Sequence, residues 1–132
     1  MIHDPLIRSN RPTILLAEDD PDQSEMLSDA LDAEGFNVDT AFSGDAALHK
    51  LINRTYDLLI LDVRMPGVQG SELLRRFRKG ETKGHTPVII VSAFATEPEM
   101  RKYRLDGADD SFSKPFEIPE LIAAIRGLTG KE

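Results

Sequence analysis

Apolar runs of strand length alternate with amphipathic stretches of helix length five times along this chain. Three of the apolar runs are uninterrupted: Ile14-Leu15-Leu16, Leu58-Leu59-Ile60-Leu61 and Val88-Ile89-Ile90-Val91. Uninterrupted apolar runs of this length are typical of strands that are covered on both faces. Regular alternation of such strands with helices predicts a parallel sheet that carries helices on both sides.

The bounds of the predicted elements follow from this periodicity and from the residues that begin and end it. Pro21 behind Asp20 is typical of a helix start, and Gly35 of a helix stop. Thr96 followed by Glu99 has the spacing of a capping box. The predicted strands are 13–18, 36–41, 57–62, 87–91 and 110–113, and the predicted helices are 21–34, 44–53, 71–79, 97–105 and 119–128.

The second and fifth predicted strands differ from the other three. The second alternates Phe36 and Val38 with Asn37 and Asp39, and the fifth is short and polar. Such strands suit the edges of a sheet, where one face or one side meets water. We therefore expect a five-stranded, doubly wound parallel sheet in the order 2-1-3-4-5, the flavodoxin-like arrangement, with five helices.

The chain has room for a single domain, since it contains 132 residues. We expect a flexible leader over 1–12, the folded domain over 13–129 and a short tail over 130–132. No apolar run approaches the length of a membrane span, and residues 1–12 lack the apolar centre of a signal peptide. We therefore expect no membrane contact and a cytoplasmic location.

Composition excludes some chemistry and some partners. The chain has no cysteine, so thiol catalysis and disulfides are excluded. Its net charge of −7 disfavours direct binding to the phosphate backbone of DNA. The basic run over 75–79 is interpreted as the solvated face of a helix rather than as a binding patch.

Carboxylates follow two of the predicted strands. Glu18-Asp19-Asp20 end the first strand and Asp62 ends the third. In the predicted order these strands are neighbours where the strand order reverses, which is where ligands bind in such sheets. Carboxylates crowded together repel one another unless they share a cation, and Mg²⁺ prefers oxygen ligands. A structural interpretation, in which Asp19 and Asp20 only cap the next helix, leaves Asp62 unexplained.

A hydroxyl and an ammonium group follow the fourth and fifth predicted strands. Ser92 can donate a hydrogen bond to an anion, and Lys114 can reach an anion bound over the crevice, with Pro115 holding the turn behind it. A carboxylate nucleophile, a cation and these two donors together suit phosphoryl transfer. Asp62 would attack phosphorus while the donors stabilise the phosphoryl oxygens.

In order and spacing, these motifs resemble those of the receiver domains of two-component response regulators. The resemblance covers residues 13–128. It rests on Glu18-Asp19-Asp20, on Asp62-Val63-Arg64-Met65-Pro66-Gly67 with Gly70, on Ser92-Ala93, and on Gly107-Ala108-Asp109-Asp110 leading to Lys114-Pro115-Phe116.

The resemblance implies a metal-dependent phosphoacceptor site. Asp62 would receive a phosphoryl group from the phosphohistidine of a histidine kinase or a phosphotransfer protein. Asp20, Asp62 and the backbone carbonyl of Arg64 would bind Mg²⁺ directly, with Mn²⁺ able to substitute, and Asp19 would bind it through water.

The resemblance also implies how the signal leaves the site. Ser92, Ala93 and Lys114 would contact the phosphoryl group, and the surface of the fourth helix, fifth strand and fifth helix would change on phosphorylation. The chain would act on a downstream protein, as a monomer or as a weak dimer when phosphorylated. It would be a signalling domain rather than an enzyme that turns over a separate substrate.

One position departs from the family pattern. Ser111 stands where receiver domains usually have an aromatic residue, three positions before the lysine. The neighbouring Phe112 points to the opposite face by strand alternation, so we predict that it packs in the core rather than replacing the switch. Arg64, Phe94, Ser111 and Pro115 are therefore candidate modulators, and Phe94 is placed to shield the phosphoryl group.

Three other functions remain as alternatives. A flavodoxin would need hydroxyl and backbone donors after the first strand, where this chain has acidic residues. A metal-dependent aspartyl-phosphate phosphatase generally has a second acid two positions after the nucleophile, where this chain has Arg64. A phosphate-independent adaptor tends to lose the acceptor, the acidic pair or the lysine. The chain would be a stand-alone regulator, a phosphorelay shuttle or a receiver cut from a longer protein.

Overall fold

The computed structural model describes residues 11–63, 70–81, 84–93 and 95–130. Within them, five strands alternate with five helices, and no end differs from the predicted one by more than two residues. In chain order the elements are β1 (Thr13–Ala17), α1 (Pro21–Ala33), β2 (Asn37–Ala41), α2 (Gly44–Asn53), β3 (Leu58–Asp62), α3 (Gly70–Gly80), β4 (Val88–Ala93), α4 (Glu97–Leu105), β5 (Asp110–Lys114) and α5 (Ile118–Thr129).

The strands form one parallel sheet in the order β2-β1-β3-β4-β5, which confirms the predicted order and both predicted edges. The central strand β3 is buried on both faces, since none of the side chains from Leu58 to Leu61 is exposed. This explains why its sequence is uninterrupted in apolar residues. All carboxyl ends lie at one edge of the sheet, as parallel pairing requires.

The sheet separates two hydrophobic cores. On one face, alternate strand residues such as Leu15 and Leu59 pack against α2, α3 and α4. On the other, residues such as Ile14 and Ile60 pack against α1 and α5. Burial on this scale is the main source of stability in a domain of this size. None of the helices in the described part of the chain is both long and apolar enough to cross a bilayer.

The predicted starts of α1 and α4 are confirmed together with their caps. Asp20 is the N-cap of α1, and its side chain accepts hydrogen bonds from the backbone N–H groups of Asp22 and Gln23. Thr96 and Glu99 form the predicted capping box at the start of α4. Each cap satisfies N–H groups that have no partner inside the helix.

The basic run over 75–79 does not form a uniform solvated face. The Arg78 side chain is only 14% exposed. Its stem is covered while its guanidinium donates to neighbouring oxygens, as long cationic side chains often do. The interpretation as a solvated face is wrong for Arg78 and confirmed for the exposed residues of the run. The Arg78 acceptors are the carbonyl oxygens of Gly107 and Thr86 and the carboxylates of Glu81 and Asp109, at 2.6 to 3.0 Å.

The predicted leader and tail lie largely outside the described residues, and both stay predictions. Of residues 1–12, the structure describes Arg11 and Pro12. Pro12 is buried, and its carbonyl oxygen accepts a hydrogen bond from the backbone N–H of Asn37 at 2.9 Å. Within the described residues, Pro12 is therefore tied to β2.

Candidate functional site

Three carboxylates and one ammonium group meet beyond the carboxyl ends of the strands. Ala17 pairs with Leu61 across β1 and β3, so the next residues, Glu18 and Asp62, lie side by side. Oxygen atoms of Glu18, Asp19 and Asp62 all lie within 4.8 Å of one another. Glu18 and Asp62 are 5% and 6% exposed, which places two charged groups almost entirely away from solvent.

Lys114, at the end of β5, reaches this cluster from the far edge of the sheet. Its Nζ donates to Glu18 Oε1 at 2.7 Å and lies 3.4 Å from Asp62 Oδ2. A third contact, at 3.0 Å, goes to Oε1 of Gln23 in the first turn of α1. The predicted approach of Lys114 to the crevice is thus present in the geometry.

The structure does not bring Asp20 into this cluster. One Asp20 carboxylate oxygen accepts from the backbone N–H of Asp22 at 3.0 Å, and the other accepts from the side-chain amide of Gln23 at 3.1 Å. β1 ends at Ala17, one residue earlier than predicted, so the first carboxylate beyond the strand is Glu18. Since α1 begins at Pro21, Asp20 occupies the cap position and its carboxylate is turned towards the helix.

Burial and the neighbouring groups shift the pKa values of Glu18 and Lys114. Burial is the largest cause that raises the pKa of Glu18 to about 7; the adjacent Asp62 raises it further, and Lys114 opposes the rise. Burial alone would lower the pKa of Lys114, but its contacts with Glu18 and Asp62 raise it above the usual range. Burial and the adjacent Asp62 thus favour the protonated form of Glu18 despite its contact with the Lys114 ammonium group.

The donor set fits a hard divalent cation. All three clustered side chains offer carboxylate oxygens, the atoms that Mg²⁺ prefers, and Asp19 is exposed enough to leave room for water ligands. A divalent cation would also relieve the repulsion that burial intensifies. The acidic cluster is therefore chemically suited to Mg²⁺.

Ser92 lies inside β4 rather than after it, because the strand continues to Ala93. It is 2% exposed and pairs with Ser113 of β5, while Ala93 pairs with Lys114. Asp62 pairs with Val91, so Ser92 is one residue further towards the carboxyl edge on the adjacent strand. The peptide bond that precedes Pro115 is cis.

Ser111 and Phe112 face opposite sides of β5, as alternation predicts. Ser111 is buried, and its hydroxyl has no hydrogen-bond partner among the residues that the structure describes. Phe112 packs with the core of α1 and α5 and contacts Phe116 edge to face, with ring centroids 5.8 Å apart. The prediction that Phe112 belongs to the core is confirmed.

Two predicted residues, Arg64 and Phe94, lie outside the described ranges, so their predicted roles stay predictions.

The structure adds two residues, Gln23 and Ser113, that the sequence analysis did not single out. Gln23 follows the cap by three residues, a spacing that returns a side chain to the same side of the helix start. Ser113 immediately precedes Lys114, and its hydroxyl accepts from the backbone N–H of Ala95 at 3.1 Å.

The two serines of β5 give a prediction about the connection between β4 and α4. Ser113→Ala is expected to lower the free energy of unfolding by about 1 kcal/mol, because the Ala95 N–H loses its acceptor. Ser111→Ala should change stability by less than about 0.5 kcal/mol or raise it, because the hydroxyl removed is buried without a partner in the described structure. Urea denaturation measures both, and amide exchange should accelerate at Ala95 in the Ser113 variant alone. Equal effects of the two variants would contradict this.

Comparison with known protein families identifies one match. The family model of the response regulator receiver domain matches residues 14–126 of this sequence. The phosphate regulon transcriptional regulatory protein PhoB of Rhizobium meliloti is 43% identical over 117 residues, which cover 89% of this chain and 52% of that protein. The response regulator ArlR of Staphylococcus saprophyticus is 36% identical over 120 residues, which cover 90% of this chain and 53% of that protein. The chain thus spans about half the length of the curated relatives it matches.

Solved structures show the same arrangement of strands and helices. The receiver domain of the Francisella response regulator 1452 superposes with a TM-score of 0.86 at 32% identity, covering 91% of this chain and 98% of that one. The receiver domain of the sensor histidine kinase PA1611 of Pseudomonas aeruginosa superposes with a TM-score of 0.83 at 26% identity, covering 92% and 99%. That structure has a magnesium ion coordinated in its active-site cleft.

Proposed function

This chain belongs to the family of response regulator receiver domains of two-component systems, and on that basis we propose that Asp62 accepts a phosphoryl group from a phosphohistidine. The donor would be a histidine kinase or a phosphotransfer protein. One observation carries the proposal: the Asp62 carboxylate ends the central strand with two further carboxylates and the Lys114 ammonium grouped around it. This grouping supplies a nucleophile and the charges that phosphoryl transfer requires.

In the proposed reaction a carboxylate oxygen of Asp62 attacks phosphorus and forms a P–O bond. The P–N bond to the imidazole of the donor breaks, and that nitrogen keeps the bonding electrons and takes up a proton. Lys114 Nζ lies 3.4 Å from Asp62 Oδ2, close enough to donate to a phosphoryl oxygen carried by that carboxylate. Ser92 and Ala93, on the strand beside β3, would supply the remaining contacts at the carboxyl edge.

We propose Glu18, Asp19 and Asp62 as the side chains that hold Mg²⁺, or Mn²⁺ in its place. Glu18 replaces Asp20 in this assignment, because the Asp20 carboxylate is engaged in the cap of α1. The backbone carbonyl of Arg64, which the family resemblance adds, remains part of the proposal. When bound, the cation would offset charge on the phosphoryl oxygens and on the carboxylates around them.

The output surface is proposed to be that of α4, β5 and α5. α4 has no fully buried side chain, which suits an element that shifts at small energetic cost. Ser111 presents a small side chain where an aromatic switch would stand, so we assign the response to the connection between β4 and α4 rather than to residue 111. We propose that output occurs through contact with a downstream protein, by a monomer or by a weak dimer on phosphorylation. The net charge of −7 disfavours direct contact of this chain with DNA.

Incubation with acetyl phosphate tests the proposal. Intact mass should show one phosphoryl group per chain when Mg²⁺ is present and none when a chelator replaces it, because the carboxylates around Asp62 repel the incoming anion without a cation. Hydroxylamine should release the group, as it does from an acyl phosphate. Steady turnover of phosphate esters would favour the phosphatase alternative. A folded protein that takes up no phosphoryl group would favour the phosphate-independent adaptor.

A further inference from the structure

The ammonium group of Lys114 has three N–H donors and three acceptors around it. Glu18 Oε1 lies at 2.7 Å, Gln23 Oε1 at 3.0 Å and Asp62 Oδ2 at 3.4 Å. Two of these acceptors are carboxylates: Glu18 follows β1 and Asp62 is the last residue of β3. The third is a neutral amide oxygen on α1, and the cation ligands proposed above do not include it.

A second hydrogen bond determines the orientation of the Gln23 amide. Its Nε2 donates to Asp20 Oδ2 at 3.1 Å. An ionised carboxylate can only accept and an ammonium group can only donate, so a flipped amide would face both neighbours with the wrong group. Lys114 therefore donates to Gln23 and Gln23 donates to Asp20, a directed chain that runs from the crevice to the helix cap.

We propose that Gln23 is a positioning residue that keeps Lys114 over Asp62 during phosphoryl transfer. This inference rests on the proposed function. A cation held by Glu18 and Asp62 would weaken the attraction of both carboxylates for Lys114, because it shares their oxygens and repels the ammonium group. Gln23 is outside that ligand set and keeps its contact. The N–H group of Lys114 that faces Asp62 can then donate to a phosphoryl oxygen, while Gln23 accepts from a second N–H group of Lys114.

A purely structural role for Gln23 predicts a different behaviour. If Gln23 only supported the cap of α1, its loss would affect phosphorylation equally with or without Lys114. Asp20 also accepts from the backbone N–H of Asp22 at 3.0 Å, so the cap does not depend on the Gln23 side chain. A double-mutant cycle with Lys114 separates the two roles.

The experiment compares Gln23→Met, Lys114→Ala and the double variant with wild type. Methionine keeps the length and the helix propensity of glutamine but has no amide. The rate of phosphoryl uptake is measured by intact mass at a fixed acetyl phosphate concentration over a series of Mg²⁺ concentrations. Gln23→Met should be about threefold slower at saturating Mg²⁺, the effect of one exposed hydrogen bond to a charged group. In the Lys114→Ala background Gln23→Met should have no further effect.

The control is Met26→Gln, the reverse exchange on the same helix at a side chain that is 64% exposed, and its rate should match wild type. The inference is overturned if Gln23→Met keeps the wild-type rate, if the loss is equal in the Lys114→Ala background, or if excess Mg²⁺ abolishes the loss. Each of these results leaves the proposed function standing. Failure of wild type itself to take up a phosphoryl group would instead reject the proposed function and the inference with it.

Discussion

Asp62→Asn is expected to take up no measurable phosphoryl group from acetyl phosphate, a loss of at least about a hundredfold in rate. Asparagine has nearly the shape of aspartate, but its amide oxygen is not a nucleophile at neutral pH. The fold should persist, because the change removes one charge from a site where buried carboxylates crowd one another. Intact mass measures the uptake, and urea denaturation verifies the fold.

The matched control for this variant is Asp29→Asn. Asp29 is an exposed aspartate on α1, so the same change of charge there should leave phosphoryl uptake at the wild-type level. Uptake by the Asp62 variant at the wild-type extent would contradict Asp62 as the acceptor. The adduct would then be sought on Glu18 and Asp19, the nearest carboxylates.

Gly70→Ala is expected to lower the free energy of unfolding by at least about 3 kcal/mol. Gly70 begins α3, and its N–H donates to the carbonyl oxygen of Val63 at 3.1 Å. A methyl group at Gly70 would overlap the Cα atom of Val63 and lie 2.9 Å from the carbonyl oxygen of Asp62. These are backbone atoms, so relief requires moving α3 or the end of β3, which includes Asp62.

The opposite result is expected from Gly127→Ala. Gly127 lies in α5, where an added methyl group would meet no heavy atom within 4 Å. Alanine in a helix is favoured over glycine, so this variant should gain about 0.5 to 1 kcal/mol. Urea midpoints of the two variants should therefore move in opposite directions. If Gly70→Ala were as stable as wild type, the close packing of α3 on Val63 would be refuted.

The sheet order could be predicted because the strands differ in composition. The alternation of Asn37 and Asp39 with apolar residues identified one edge, and the polar residues of β5 identified the other. Asp62 and Lys114 could be placed at the crevice because each ends a strand, and parallel strands end at the same edge. Local patterns were sufficient for these features.

Other parts of the site depend on details that local patterns do not contain. β1 ends at Ala17, one residue earlier than predicted, and Glu18 rather than Asp20 groups with Asp19 and Asp62; strand ends are uncertain to this degree from sequence. The contact between Gln23 and Lys114 joins positions 91 residues apart, and no periodicity encodes such a pair. Arg78 appeared solvated because two of its four acceptors, Gly107 and Asp109, belong to a segment about 30 residues away.

The four acceptors around Arg78, on Glu81, Thr86, Gly107 and Asp109, constrain how the sequences of homologues can diverge. A lysine could not reproduce its geometry, because guanidinium nitrogens point to four acceptors from a fixed plane whereas an ammonium group is a single point of charge. Loss of the arginine alone would leave Glu81 and Asp109 without their shared cation. We therefore expect positions 78, 81 and 109 to covary among homologues, with the ancestral trio either inherited whole or replaced whole.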